Sequence, residues 1–181
     1  MDEDIHKATD VEKTWIAFYT RPRFEVGIAS QLKKIGIESY VPLRRECHQW
    51  SDRKKWVNVP LIPSYVFVYL DIRNYFRVFA INGVIRVVMF NGRIARIRDN
   101  DIELLRKVEN YGEPVEVVSQ DYNRNEEVEI INGIFKGYSG HVISVGSKYK
   151  ICIRIEEIEY SPVIEIPIVD IRHRSRSVVV S

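Results

Sequence analysis

The spacing of apolar residues changes along the chain, and residues 15–110 differ in this respect from the residues beyond 124. In residues 15–110, short apolar runs typical of strands alternate with stretches at helical spacing. In residues 24–35, apolar side chains recur at positions 24, 28, 32 and 35, and Gly36 then suits a helix C-terminus. The predicted order is strand, helix, strand, strand, helix, strand, helix. This order is typical of a four-stranded antiparallel sheet with helices packed on it.

One segment of this region is too charged to be buried. Residues 44–56 contain seven Arg, Lys, Asp or Glu side chains, counted from the printed sequence. They predict a protruding hairpin with its tip at residues 51–54. The strongest apolar run follows at residues 65–70, which predicts a strand.

Turn and cap residues divide the rest of the first region. A short helix is predicted over residues 74–81. Asn91 and Gly92 form a pair typical of a type I′ hairpin turn. Asn100 is followed three residues later by Glu103, which predicts a helix start with a capping box.

Beyond residue 124 the apolar residues alternate with polar ones. Short strands joined by glycine turns over about 50 residues predict a small closed barrel, because closure removes exposed strand edges. The predicted fold class is therefore α+β, with an N-terminal sheet-and-helix domain and a small SH3-like β-barrel. The predicted segments are a disordered lead at 1–14, a first domain at 15–110, a linker at 111–124, a barrel at 125–172 and a flexible basic tail at 173–181.

Charge is distributed unevenly along the chain, whose net charge is +2. Residues 15–110 carry 17 basic and 9 acidic side chains, or +8, whereas residues 1–14 and 111–181 each carry −3. A basic domain beside an acidic one favours a polyanionic partner for the first domain. A solvated, charged face is the alternative.

Composition and motifs disfavour several classes of protein. The sequence lacks an apolar run of about 18 residues, so we expect no membrane span. The acidic start is unlike a signal peptide, and two distant cysteines, Cys47 and Cys152, suggest a reducing, cytoplasmic location. The four histidines share no metal-ligand spacing with cysteine or carboxylate, and we expect neither a metal nor another cofactor. Gly137-Tyr138-Ser139-Gly140-His141 lacks the final glycine of a nucleophile elbow, so an enzyme is not favoured.

The clearest motif of the second region lies in residues 125–142. Alternating apolar residues lead into a glycine-rich turn, in which glycine permits positive φ. The aromatic side chain of the turn is placed to close one end of a barrel. The run resembles the KOW motif of transcription and ribosomal proteins, with Asn125 at a position where glycine is usual. The motif positions are Gly133, Phe135, Gly137 and Gly140.

Two stretches of the first region carry a second resemblance. Residues 15–25 read Trp-Ile-Ala-Phe-Tyr-Thr-Arg-Pro-Arg-Phe-Glu, and residues 60–68 read Pro-Leu-Ile-Pro-Ser-Tyr-Val-Phe-Val. Together they resemble the NGN domain of NusG-type elongation factors, where glycine is common at the position of Ser64. The two resemblances cover nearly the whole chain. Residues 49–55 are similar to UpxY-type antiterminators of capsule and exopolysaccharide operons.

The resemblance implies a docking patch for bacterial RNA polymerase. In the family, an apolar surface of the NGN sheet binds the clamp helices of the polymerase β′ subunit. Strand periodicity agrees with an exposed, partly aromatic face, while the opposite face, with Ile16, Phe18, Val66 and Val68, would pack against the helices. The alternative is that the patch packs beneath the third helix or the barrel. Matching positions are Ala17, Tyr19, Ile62, Tyr65, Phe67, Phe90, Ile102 and Leu105, and Asn74 and Tyr75 match the contact with the β-subunit gate loop.

A basic surface is implied in the same way. In the family this surface faces the non-template DNA strand of the transcription bubble, where arginine attracts phosphate. Simple solubilising charge is the alternative. The matching residues are Arg21, Arg23 and Arg86, and the hairpin residues Arg44, Arg53, Lys54 and Lys55 are predicted to extend the surface.

The sequence therefore predicts a non-enzymatic factor that binds RNA polymerase and suppresses pausing and termination at capsular or exopolysaccharide operons. A ribosomal protein or a termination factor is the predicted partner of the barrel. Two other interpretations remain: a general NusG-type elongation factor, and a ribosome-associated, RNA-binding KOW protein.

Overall fold

A computed structural model describes residues 12–49, 53–113, 115–119 and 126–174 of the chain. Most of the predicted lead and tail and part of the predicted linker lie outside these residues. So do Trp50, Ser51 and Asp52 of the predicted hairpin tip, and Asn125 of the glycine-rich motif.

The N-terminal region forms one antiparallel sheet and two small ladders. Its elements are β1 (Lys13–Thr20), α1 (Glu25–Lys34), β2 (Glu38–Tyr40), β3 (Leu43–Gln49), β4 (Lys54–Pro60), β5 (Tyr65–Asp71), a 3₁₀ helix (Ile72–Ala80), β6 (Val84–Val87), β7 (Met89–Phe90), β8 (Arg93–Ile94), β9 (Arg96–Ile97) and α2 (Asp99–Glu109). The main sheet has the order β2-β5-β1-β6, and β9 also pairs with β1. The sheet thus has five strands where the sequence predicted four, because the two-residue β9 is too short to show a period of its own.

Local geometry confirms several turn predictions and corrects one. Gly36, just beyond α1, has a φ of 74°, and Asn91 and Gly92 between β7 and β8 both have positive φ. The predicted hairpin is also present, as β3 paired with β4. The capped start at Asn100 is wrong, because Arg98 precedes α2 and no side chain caps the helix. The Arg98 guanidinium instead binds the Asp101 carboxylate, at 2.7 Å between Nε and Oδ2.

The C-terminal region forms a second antiparallel sheet. Its strands are β10 (Glu116–Ser119), β11 (Glu127–Ile130), β12 (Ser139–Val145), β13 (Tyr149–Cys152), β14 (Tyr160–Ile166) and β15 (Ile171–His173), with a 3₁₀ turn at Ile168–Asp170. The order is β10-β14-β13-β12-β11-β15. No pairing between β10 and β15 joins the two ends within the described ranges, so the closed barrel predicted from the sequence is not formed there.

The segment boundaries also differ from the prediction. β1 begins at Lys13, inside the predicted lead. β10 lies inside the predicted linker, because its residues pair with Val163 to Tyr160 and extend the second sheet. β15 reaches His173, the first residue of the predicted tail.

The two faces of the first sheet are covered by different layers. Ile16, Phe18, Val66 and Val68 are fully buried against α1 and the 3₁₀ helix, which confirms the predicted inner face. The opposite face forms one apolar cluster with α2 and the C-terminal sheet. No helix within the described ranges combines the length and apolar character needed to cross a membrane.

Candidate functional site

The pairing of β1 with β5 assembles the centre of the predicted docking patch. Ala17 lies opposite Phe67, and Tyr19 lies opposite Tyr65. Because opposed residues of an antiparallel pair project from the same face, these four side chains form one apolar strip. We call Ala17, Tyr19, Tyr65 and Phe67 the docking strip.

Most of the docking strip is buried, which corrects the expectation that it is exposed. Ala17 and Phe67 are fully buried and Tyr65 is 2% exposed, while Tyr19 is half-buried. Three further residues of the predicted patch, Ile62, Ile102 and Leu105, are buried in the same cluster. The strip lies beneath α2 and the C-terminal sheet, as in the alternative that the sequence left open. A large apolar face is stabilised when it is removed from water, and these layers remove it.

Helix α2 is held on the strip by β2. The Tyr40 hydroxyl donates a hydrogen bond of 2.8 Å to Oε2 of Glu109. The Arg106 guanidinium lies 5.5 Å from the centre of the Tyr40 ring. Burial and the Glu109 carboxylate raise the pKa of Tyr40. Tyr40 also packs against Phe67, so α2, β2 and the strip form a single packed unit.

The C-terminal sheet contacts the strip through Tyr160 on β14. The Tyr65 and Tyr160 rings meet edge to face, with centroids 5.9 Å apart. Burial, followed by the nearby Glu159 carboxylate, raises the pKa of Tyr65 to about 12. The Tyr65 hydroxyl is therefore held in its neutral form inside the contact between the two regions.

A few polar contacts join α2 to the C-terminal region. The Tyr138 hydroxyl donates to the Asn100 carbonyl oxygen at 3.2 Å. Nζ of Lys107 donates to the Ile134 carbonyl oxygen at 2.9 Å. The two sheets share no strand pairing among the described residues. The regions therefore meet through side chains, without a continuous backbone ladder.

The motif residues of the second region occupy the predicted kind of turn. Gly133 and Gly137 have φ values of 76° and 89°. A Cβ at Gly140 would lie 2.5 Å from Cγ2 of Ile151, so the close approach of β13 requires glycine there. Phe135 is 1% exposed, and its ring lies 5.0 Å from that of Tyr111, just beyond α2. Phe135 thus closes one end of the C-terminal core against the first region.

Phe90 and Tyr75 of the predicted patch lie apart from the docking strip. Both line an open groove of about 920 Å³, which the β7–β8 hairpin, the 3₁₀ helix and Glu157 also border. Phe90 is 39% exposed. Burial raises the pKa of the Glu157 carboxyl at the edge of the groove. Asn74 lies on the exposed side of the 3₁₀ helix, where its amide contacts Asp71.

The predicted basic residues Arg21 and Arg86 lie along one edge of the first sheet. The Arg21 backbone N–H donates to the Gly83 carbonyl oxygen at 2.8 Å. The Arg86 guanidinium lies 5.3 Å from the centre of the Tyr19 ring. Arg23 is exposed and has a φ of 70°. The three arginines are exposed, and Arg86 borders Tyr19, the one half-buried member of the docking strip.

The predicted hairpin cations stand elsewhere, on β3 and β4. Arg44 forms an ion pair with Glu46. Arg53, Lys54 and Lys55 are exposed near the tip. The described residues contain no cluster of three or more His, Cys, Asp or Glu side chains suited to a metal ion.

Sequence reasoning missed the tyrosines at the contact between the two regions. Tyr160 contacts Tyr65 of the docking strip, Tyr138 contacts α2, and Tyr111, just beyond α2, contacts Phe135, yet none of the three belongs to the glycine-rich motif positions. The sequence pattern gave little indication of these contacts, because each tyrosine stands within a polar stretch. Such a residue is expected at a wet interface as readily as on a free surface.

Comparisons with known proteins agree with this architecture. A family model described as NusG, transcription termination factor nusG, matches residues 13–106. The solved structure described as "Domain interaction in Thermotoga maritima NusG" is 19% identical, with a TM-score of 0.56, and the match covers 89% of this chain and 97% of that one. This likeness shows a shared fold. The MjSpt4:Spt5 complex in conformation A is also 19% identical and covers 88% and 97% of the two chains, with a TM-score of 0.29. No curated protein matches the chain.

Proposed function

Because the chain belongs to the NusG family of transcription factors, we propose that it binds RNA polymerase through the docking strip and keeps the enzyme transcribing. One observation carries the proposal. The strip lies on an aromatic and apolar face of the first sheet. The C-terminal sheet covers this face but shares no strand pairing with the first sheet among the described residues. Such a face is suited to a protein partner once it is uncovered, because buried aromatic residues dominate binding energy at interfaces.

Polymerase binding then requires the C-terminal sheet to leave the strip. Tyr160 occupies the position beside Tyr65 that a partner would need. A partner that binds only the open form shifts the population towards it, to the extent of its preference for that form. The proposed ligand of the strip is the pair of clamp helices of the β′ subunit. The groove beside Phe90 and Tyr75 is the proposed contact for the gate loop of the β subunit.

Arg21, Arg23 and Arg86 are proposed to contact the non-template DNA strand. All three are exposed, and the Arg86 guanidinium lies beside the Tyr19 ring. Cations that neutralise phosphates release counterions, so the contact should weaken as salt rises. Binding both sides of the polymerase cleft would disfavour its open, paused states, which is an equilibrium effect and needs no chemistry.

The finer proposal is antitermination at capsular or exopolysaccharide operons. It is supported by the likeness of residues 49–55 to UpxY-type factors. The C-terminal sheet would then bind a ribosomal protein or a termination factor when it is released. A general elongation factor would instead occupy most transcribed genes, so genome-wide occupancy separates the two. A ribosome-associated protein would co-sediment with ribosomes in the absence of polymerase.

Affinity purification of the tagged full-length chain tests the proposal. We expect RNA polymerase subunits to co-purify, and to do so in larger amount with Tyr160→Ala, which loosens the cover of the strip. Tyr149→Ala on β13 is the matched control, because Tyr149 contacts His173 within the C-terminal region. Absence of polymerase from every preparation would contradict the proposal.

A further inference from the structure

The β3–β4 hairpin has two chemically different faces. In its register Arg45 opposes Asn58, Cys47 opposes Trp56, and Gln49 opposes Lys54. Opposed pairs share a face and successive pairs alternate, so these six residues form one face. All six are exposed, and Leu43 and Pro60, which share this face at the base of the hairpin, are partly buried. The other face combines exposed Arg44 and Lys55 with partly buried Glu46, Val57 and Val59. We call the six residues the outer face.

The outer face carries an indole that the fold does not use. Trp56 is 60% exposed on a two-stranded ladder. The guanidinium of Arg45 lies 5.5 Å from the centre of its ring. A guanidinium placed beside an indole restrains the ring without burying it. The hairpin therefore presents a flat aromatic surface, supported by a cation, to the solvent.

The charge of the hairpin is strongly positive. Its described residues, 43–49 and 53–60, contain five cations and one carboxylate, Glu46, which gives a net charge of +4. Arg44 is engaged by Glu46. Arg45 and Lys54 stand on the same face as Trp56, one on each side of it along the ladder.

We propose that the outer face binds single-stranded nucleic acid, with an unpaired base stacked on Trp56 and phosphates bound by Arg45 and Lys54. This ligand has both features that the face complements: negative charge at regular intervals and planar apolar rings. Sequence-tolerant single-strand binding uses the same combination of basic groups and aromatic rings. A duplex offers phosphates without unpaired bases, and an acidic peptide offers charge without rings, so neither uses the indole.

This site differs from the arginine surface of the proposed function. The hairpin follows β2, the first strand in the sheet order, whereas Arg86 lies on β6 at the opposite edge. Three strand spacings separate these edges, or about 14 Å. The inference rests on the proposed function only in that a transcription factor works beside unpaired nucleic acid.

Fluorescence anisotropy with the full-length chain tests the inference. The probes are labelled oligothymidylate and oligouridylate of about 16 nucleotides, with a DNA duplex and poly-glutamate as comparisons. We expect single strands to bind more tightly than either comparison, whether they are DNA or RNA. Trp56→Ala should weaken that binding by about 5- to 150-fold, and Trp56→Phe should retain most of it. The variant Arg45→Gln, Lys54→Gln should reduce the salt slope by about 0.7 per cation removed.

The controls separate stacking from general charge and from polymerase binding. Phe76→Ala removes another exposed aromatic side chain, at 59% exposure, and should leave single-strand affinity unchanged. Trp56→Ala should still recover polymerase in the affinity purification. The wild type could fail to co-purify with polymerase and still bind oligonucleotides in a Trp56-dependent way. That result would overturn only the proposed function. Equal single-strand affinity of Trp56→Ala and wild type, or tighter binding of duplex or poly-glutamate, would overturn this inference.

Discussion

The Tyr65 and Tyr160 rings meet edge to face at an interplanar angle of 85°. Tyr65 belongs to the central strand of the first sheet and Tyr160 begins β14 of the second. The pair is therefore a direct link between the two regions, placed on the docking strip itself. Any partner of the strip must compete with this contact.

Removing the Tyr160 ring should favour the open form. Aromatic pairs contribute about 0.5–1.5 kcal/mol beyond their buried area, so Tyr160→Ala should raise polymerase affinity by roughly 2- to 10-fold. Titration of purified RNA polymerase measures the change. Tyr149→Ala provides the comparison, because Tyr149 pairs with Ile166 at the opposite end of β14 from Tyr160 and its ring contacts His173. Unchanged affinity of Tyr160→Ala would show that this contact does not limit access.

Alkaline pH should weaken the same contact. The pKa of Tyr65 is raised from 10.0 to about 12, so the neutral form is favoured in the folded protein. Its stabilising contribution is complete below pH 10 and is lost as the pH rises from about 10 to 12. Denaturant unfolding across this range should show a steeper loss of stability for wild type than for Tyr65→Phe, which cannot ionise. Parallel pH profiles of the two proteins would contradict the assignment.

Replacing each of two glycines by alanine should change the stability of the protein in opposite directions. Gly140→Ala places a Cβ 2.5 Å from Ile151 and 2.7 Å from the Cys152 carbonyl oxygen. Overpacking of this kind costs about 1–3 kcal/mol. Gly27 lies within α1, and a Cβ there would meet nothing within 4 Å. Gly27→Ala should therefore stabilise the protein by about 0.5–1 kcal/mol. Thermal unfolding of both variants tests whether Gly140→Ala lowers the stability and Gly27→Ala raises it.

Strand alternation made the two faces of the first sheet predictable. The pattern of Ile16 and Phe18 against Ala17 and Tyr19 assigns each residue to a face, and the structure confirms both assignments. The pattern could not decide what covers the second face. Burial beneath the chain's own C-terminal sheet and burial beneath a partner select the same residue types, so sequence alone left both open.

The errors at the element boundaries have specific structural causes. Asn100 has the residue type of a cap, but α2 begins two residues earlier, with Arg98 at the N-cap position and its guanidinium paired with Asp101 in the first turn. β10 was assigned to a linker because its four residues follow a glycine- and proline-containing stretch. Its strand conformation comes from pairing with β14, which is a long-range contact that short sequence windows do not contain.

The buried Glu25 carboxylate should be required for the turn before β5. Glu25 is 2% exposed, and its Oε1 accepts a 2.7 Å hydrogen bond from the backbone N–H of Ser64. Ser64 has a φ of 65°, a region that residues with a Cβ rarely adopt. The carboxylate thus satisfies the N–H of a strained residue immediately before Tyr65.

Glu25→Ala leaves that buried N–H without its acceptor and should destabilise the protein by about 1–3 kcal/mol. Glu25→Gln keeps an acceptor oxygen and should cost less. Ser64→Gly relieves the left-handed conformation, which should stabilise the protein by about 1 kcal/mol. Denaturant unfolding of the three variants measures these differences. Because Tyr65 follows Ser64, Glu25→Ala should also lower polymerase affinity, whereas Ser64→Gly should preserve it. Wild-type stability of Glu25→Ala would show that solvent replaces the carboxylate and that the turn does not depend on it.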